Sequence, residues 1–417
     1  MSPSLLLTRR RQYGAFHEAL GSLYSADRLT LAQDNMPDTA NLQGLFDALA
    51  DLIYKDGRFT VSQLRSKEAR RVIAETANVL AEGVNTQLPT DVPDTLRYAL
   101  EENTFTFSGF KTFHAMREIG LSLVAEDGNI KPFDQFKEDV KAVNDSYNVN
   151  YLRAEYQQAV GASQMAAKWV DIERDGDRYD LQYRTAQDNH VREDHALLHG
   201  TTLPPSDPFW DKYYPPNGWG CRCTVVQVRK GKFPLSDPEL AMKRGDNSTA
   251  GVKQQMFRFN PGKQMKLFPP KHPYYKTPAS DGKTVSKVAS DEFVKRQRKE
   301  LEAWYKSNMP TVKVGKFSAK RFDVNTSDGT VYVNKDFYRE CAFKYTDDSL
   351  YPVRLAYARK AHEMLAKATK LYDEPSKDHP DAVFEVWQYD DKEYRVEFKV
   401  KRNADGRFLH YMRLYKK

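Results

Sequence analysis

The stretch "YYPPNGWGCRCTV", Tyr213 to Val225, constrains the local chain more tightly than any other. Two consecutive prolines fix φ, Asn-Gly admits a tight turn, and a Cys-x-Cys follows at once. The chain has only three cysteines, so placing two of them one residue apart concentrates a rare residue. Just upstream, "DNHVREDHALLHG" supplies His190, His195 and His199. If residues 188–199 are helical, Asp188, Arg192, His195 and His199 recur at spacings of four, three and four and share one face. Cys221 and Cys223 are too close to bridge each other comfortably. Two readings follow. Zn²⁺ accepts thiolate, imidazole and carboxylate, which nominates Cys221, Cys223, His195 and Asp188 as ligands. Alternatively, a hydrogen-bonded network without metal pins the turn.

Composition sets the frame around this motif. Hydrophobic residues make up 40% of the chain and aromatics 12%, which argues for globular folding rather than disorder. A length of 417 residues accommodates two or three domains. Three cysteines cannot build a disulfide framework, so a reducing compartment is the simpler setting. The opening "MSPSLLLTRRRQYG" lacks the apolar core of a secretory signal, and no run approaches a membrane span. No membrane partner is expected. The net charge of +7 permits a polyanionic partner without demanding one.

Periodicity divides the chain. "NLQGLFDALADLIYKDG" places Leu42, Leu45, Phe46, Leu49, Leu52 and Ile53 at helical spacing, with Gly57 as the stop. "TVSQLRSKEARRVIAETANVLAEGVN" repeats the pattern, Phe105, Phe107, Phe110 and Phe113 form a core patch, and Pro132 opens another helix. "NYLRAEYQQAVGASQMAAKWVD" carries a stripe with small residues that allow close packing. "YDLQYRT" and "TVVQV" then alternate as strands. Residues 229–290, rich in Pro, Gly, Lys and Ser, read as an extended linker that partly wraps a neighbour. Beyond it, "YPVRLAYARKAHEMLAKATKLYDE" reads as one long helix. "AVFEVWQYDDKEYRVEFKVKRNADGRFLHYMRLYK" reads as a three-strand meander turning at Asp390-Asp391 and at Asn403 to Gly406.

The central motif also resembles a known family. "YRTAQDNHVREDHALLHGTTLPPSDPFWDKYYPPNGWGCRCTV" is similar to the signature of the phage Mu F-like head morphogenesis domain. Arg184, Asp188, Arg192, His195, Gly200, Pro215, Asn217, Gly218, Trp219, Cys221, Arg222 and Cys223 stand at the family's positions. The preceding helix with Glu155, Ala159 and Trp169 fits as well, as does "FNPGKQMKLFPPKHPYY" behind it. The resemblance implies a minor head protein in the virion, in the head interior or at the portal vertex, present in the host cytoplasm during assembly. It implies the portal protein and other capsid components as partners, and a part in head morphogenesis and DNA packaging or ejection.

The last part of the chain, by its layout, resembles the barnase/EndoU/colicin/RelE-like ribonuclease fold attached to many phage head proteins. From Thr311 onward 22 Lys and Arg face 17 Asp and Glu, five of the seven net positive charges. On the meander Arg395, Glu397, Lys399 and Lys401 share one strand face, and Arg413 joins them from the next strand. Arg395, Lys399, Lys401 and Arg413 are therefore the candidates for binding phage DNA or host RNA. Metal-independent RNA cleavage needs a base, an acid and a cation at the phosphate. His362, Arg395, Glu397, Lys399 and His410 supply those types. His362 shares a stripe with Leu355, Ala358 and Leu365, and His410 alternates with Phe408 and Met412, so a buried structural role stays open for both.

The expected architecture is α+β and multidomain. It comprises a helical portal-facing segment (1–94), a small mixed Mu F-like module (95–228), the linker (229–290) and a basic nuclease-like domain (291–417). The alternative function is a phage-delivered RNA-cleaving toxin whose head module is only a carrier.

Overall fold

The computed structural model describes residues 14, 16, 18, 20–24, 37, 39–125, 127, 129–251, 253–344, 346, 350–375, 381–391 and 393–417. Residues 1–13, which include the apolar start weighed as a leader, lie outside them. The chain divides into two compact units, Met1–Glu292 and Phe293–Lys417, the division falling within one long helix, Ala279–Asn308.

In the first unit the apolar stripes read from sequence become packed helices: α1 (Ala40–Asp56), α2 (Lys67–Asn85), α3 (Asp94–Ser122), α4 (Phe133–Asn144) and α5 (Leu152–Asp175). Gly57 stops α1 in the left-handed conformation at φ 65°, a backbone state that glycine adopts without a Cβ clash. Ser66 caps α2 by accepting from the Ala69 amide, and Pro132 precedes α4. A π-helical turn, Asp145–Tyr151, joins α4 to α5. All four phenylalanines of the α3 patch are buried, and each removes an apolar side chain worth about 1.5–3 kcal/mol from water. Close packing depends on a missing side chain at Gly83, where a Cβ would stand 2.8 Å from the Tyr156 ring on α5.

Behind α5 the chain forms a three-stranded antiparallel sheet in the order β2-β1-β3, from β1 (Tyr179–Arg184), β2 (Thr202–Leu203) and β3 (Thr224–Arg229). Arg184 pairs with Thr224, so β3 starts directly after Cys223. Leu181 and Tyr183 face inward onto Phe209, Trp210, Tyr213 and Tyr214, as strand alternation requires.

Residues 229–290 differ from the extended linker expected. They lie against the first unit, but as packed structure: α6 (Pro238–Ser248), short turns, and the start of α7 (Ala279–Asn308). Phe257, Leu267, Phe268, Tyr274, Val285 and Val288 are all in its main core. Pro and Gly here serve caps and close approaches rather than flexibility. Asn260 accepts from the Gly262 and Lys263 amides, and Gly262 lets that turn press onto Trp169.

The second unit is a seven-stranded sheet in the order β4-β5-β6-β10-β9-β8-β7. Its strands are β4 (Thr311–Val314), β5 (Phe317–Thr326), β6 (Gly329–Asn334), β7 (Thr369–Pro375), β8 (Val383–Asp390), β9 (Tyr394–Asn403) and β10 (Gly406–Lys416). All pairs are antiparallel except β6 with β10. The meander β8-β9-β10 has the two turns read from sequence. Helices α8 (Lys335–Phe343), α9 (Tyr351–Ala358) and α10 (Ala361–Ala366), with the end of α7, cover one face over Val331, Val333, Trp387, Val396, Phe398 and Val400. The single long helix expected over 351–374 is instead α9, α10 and the edge strand β7. The chain breaks at Arg359-Lys360, and β7 forms because β8 offers it a full row of backbone partners. The architecture is α+β and multidomain. Among the described residues no helix is long and apolar enough to cross a membrane.

Candidate functional site

The Cys-Arg-Cys turn hangs between β1 and β3, and each flanking residue holds it from a different side. The Cys221 amide donates to the Gly218 carbonyl at 3.1 Å, closing the Asn-Gly turn. Tyr183, fully buried on β1, donates its hydroxyl to Asn217 Oδ1 at 2.9 Å, and Asn217 is itself fully buried. Burial, and then the neighbouring cysteines, push the Tyr183 phenol well up, so it stays a neutral donor. Arg192 donates to the Trp219 carbonyl at 2.6 Å. Its guanidinium lies over Gly218, where a Cβ would stand 3.2 Å from Nη1. Arg184, at the end of β1, donates to Gln182 at 3.0 Å.

Residues 188–199 do not form the three helical turns expected. Only Glu193–Ala196 is helical, and Arg192 ahead of it is extended. Asp188 prevents a longer helix by accepting the His190 amide at 3.1 Å, an Asx-type turn that competes with helical bonding. Tertiary structure, rather than one helix face, therefore assembles the site. Asp188 faces Arg222, which grips both its oxygens at 2.6 Å and holds its carboxyl down at about 2. His199 accepts from the Thr185 amide at 3.2 Å, behind β1.

His195 alone among the three histidines is buried, and it meets both cysteines. Its Nδ1 lies 3.7 Å from Cys221 Sγ and 3.8 Å from Cys223 Sγ. The structure thus brings together three of the four residues nominated as ligands and ties the fourth, Asp188, to Arg222. The Cys223 thiol and then His195 stabilise a thiolate on Cys221 and hold its pKa well below the usual thiol value, while Cys223 moves the opposite way. Tyr183 is the participant that sequence reading missed. Its signal was present, because Leu181 and Tyr183 alternate onto the buried face of β1. A cleft of about 410 Å³ runs along α5 to this turn, lined by Tyr156, Gln164, Lys168, Pro216, Cys221 and Thr224.

The second group of nominated residues lies on the sheet of the second unit. Register places Lys401 opposite Phe408, Lys399 opposite Tyr411, Glu397 opposite Arg413 and Arg395 opposite Tyr415. Arg395, Lys399, Lys401 and Arg413 thus share the face away from the helices. The flanking strands set acids beside two of these cations. Asp390 on β8 sits 3.4 Å from Arg395, and Glu374 on β7 sits 2.5 Å from Lys399. His362 and His410 are not brought together. His362, on α10, stacks on Phe322 at 4.1 Å on the helix side of the sheet, where burial lowers its basicity. His410 sits at a bulge in β10 beside Phe384, on the opposite face.

Comparison with known proteins agrees with the first site. Residues 129–226 match the family described as Phage Mu protein F like protein, an interval that runs from α4 through the Cys-Arg-Cys turn into β3. Residues 129–226 are thus a Mu F-like module. It is 30% identical over 176 residues to the Mu-like prophage FluMu F protein of Haemophilus influenzae, covering 40% of this chain and 41% of the relative. It is 35% identical over 83 residues to a proposed capsid assembly protein F of Escherichia phage Mu, covering 19% of this chain and 16% of that one. The chain thus matches less than half the length of either relative. No solved structure matches it.

Proposed function

We propose that this protein acts in assembly of the head of a Mu-like phage or prophage, as a minor component placed at the portal vertex or head interior. The observation that carries the reading is the family match over 129–226, which takes in the interlocked Asp188, Arg192, His195 and Cys-Arg-Cys unit. Support also comes from the Escherichia phage Mu relative, whose name assigns it to capsid assembly. In this reading the protein contacts the portal and other capsid components and takes part in DNA packaging or ejection. The rigid turn presents a fixed surface beside the cleft on α5. The test is genetic and structural. A phage lacking the protein, or carrying Arg192→Ala with Asp188→Ala, is expected to yield few filled heads by electron microscopy and a low titre. Normal titres and filled heads without the protein would overturn the reading.

The second unit is proposed to bind nucleic acid, phage DNA or host RNA, through the sheet face bearing Arg395, Lys399, Lys401 and Arg413. The excess of cations from Thr311 onward supports this. Cleavage through His362, Glu397 and His410 has less support, because the two imidazoles face opposite sides of the sheet and cannot act on one phosphate as acid and base. Incubating the protein with labelled RNA and DNA tests both points: retention on a filter reports binding, and shortened products report cleavage.

A further inference from the structure

Three soft donors converge at the start of β3 with the spacing of a tetrahedral metal site. His195 Nδ1 stands 3.7 and 3.8 Å from the two sulfurs, and the three donor atoms all lie within 4.8 Å of one another. In a tetrahedron with Zn–S of about 2.3 Å and Zn–N of about 2.0–2.1 Å, the N···S edge is roughly 3.6 Å. Both observed edges match that length to within a fraction of an ångström.

A network without metal accounts for this less well. Nδ1 carries either one lone pair or one N–H in the ring plane, so it can serve one sulfur properly. Here two sulfurs stand almost equally far from it, an arrangement that a shared cation satisfies and a single hydrogen bond does not. The donors are also held from behind. His195 is buried, the Asn-Gly turn fixes Cys221, Arg192 clamps the Trp219 carbonyl, and Arg222 is locked to Asp188. Beside the donors lies a cavity of about 20 Å³ lined by His190, Val191, Arg192 and Gly220, room for one solvent oxygen.

We propose that His195, Cys221 and Cys223 bind a zinc ion as a structural clasp, with a solvent oxygen from the small cavity as the fourth donor. On binding, the two thiols give up their protons to solvent, so two thiolates balance the two positive charges of Zn²⁺. A neutral centre suits the partly buried position. The clasp joins the Pro-Pro-Asn-Gly-Trp turn to the loop that carries Asp188 and Arg192, segments about 25 residues apart in the chain. This assignment stands apart from the head-assembly reading, since zinc content is measured on the purified chain alone.

The full chain, purified without chelator, is expected to carry about one zinc per molecule by elemental analysis. After zinc is stripped, titration with Co²⁺ should produce a thiolate-to-cobalt charge-transfer band together with the visible bands of tetrahedral cobalt. The Cys221→Ser/Cys223→Ser variant should lose the band and bind zinc on the order of 100-fold more weakly, and His195→Gln should weaken it too. Cys341→Ser should keep both, because Cys341 is buried in the other unit. Absence of a cobalt–thiolate band in the parent protein overturns the proposal, even if the serine variants fail to fold. Full zinc content in a folded double-serine variant overturns it equally.

Discussion

Each unit buries a glutamate almost completely, and the two are satisfied in different ways. Glu155 on α5 is fully buried and receives Lys111 from α3 and the hydroxyls of Tyr24 and Tyr274, at 2.9 and 3.2 Å. Tyr24 also meets His272 at 3.1 Å. These partners come from three separated stretches of chain, so the carboxylate on α5 ties the N-terminal segment, α3 and the 272–275 turn to its own helix. Glu385 on β8 is 1% exposed, but its partners Arg402 and Arg407 sit on β9 and β10 and reach water themselves. Asp328 and Asp373 share the same two arginines. A dry, many-sided network makes the first unit depend on one group. A wet, redundant lattice spreads the load across the second.

The largest expected effect breaks the dry network. Glu155→Ala leaves Lys111 charged or deprotonated in the core with no acidic partner. It should destabilise the first unit by about 3–5 kcal/mol, read as a fall in the denaturation midpoint. Glu385→Ala should cost less, about 1–3 kcal/mol, because Arg407 keeps Asp328 and Arg402 keeps Asp373. A cost for Glu385→Ala equal to that of Glu155→Ala would erase the distinction.

Acid should act next, and unevenly within the first unit. His114 is buried against Tyr274, and burial lowers its pKa to about 3; His272 is lowered too, first by burial. Both fold as neutral rings, so the unfolded chain binds more protons below its usual histidine pKa. Stability is therefore complete above about pH 6.5 and falls as pH drops from there toward 3, at up to about 1.4 kcal/mol per pH unit for each ring. Unfolding followed against pH by tryptophan emission checks this, and His114→Gln should flatten the slope. At the Cys-Arg-Cys turn the dependence starts lower. The depressed Asp188 carboxyl contributes above the ordinary carboxylate range, and its contribution disappears as pH falls through about 2. Arg222→Gln should remove that last increment.

The smallest expected effect concerns the open sheet face. Replacing Arg395 and Lys399 by alanine should weaken nucleic-acid binding and flatten its salt dependence by fewer than about two units of log–log slope, because Asp390 and Glu374 already neutralise part of each cation. Unchanged binding at every salt concentration would reduce this face to a solvated surface.

Much of the molecule could be read from local pattern. Apolar spacing sufficed for α1, α2 and α5, because a helix needs one continuous stripe and neighbours within a few residues, and Pro132 marked the start of α4. The meander was equally legible, since its turns are short and its strands alternate. Asn-Gly followed by Cys-x-Cys marked the site and named His195 as a participant, although the helix used to reach that residue does not exist. What tertiary structure alone decided concerns partners distant in sequence. Residues 369–374 contain no glycine or proline to stop a helix, and the free edge of β8 makes them a strand. Residues 229–290 look like a linker until Phe257, Leu267 and Tyr274 find the core. The acids that pair with Arg395 and Lys399 stand on neighbouring strands, fixed by register rather than by spacing. His195 meets Cys221 and Cys223 because β1 and β3 pair and bring their ends together. Local propensity selects the elements, but burial and backbone pairing between distant segments select which side chains share a site.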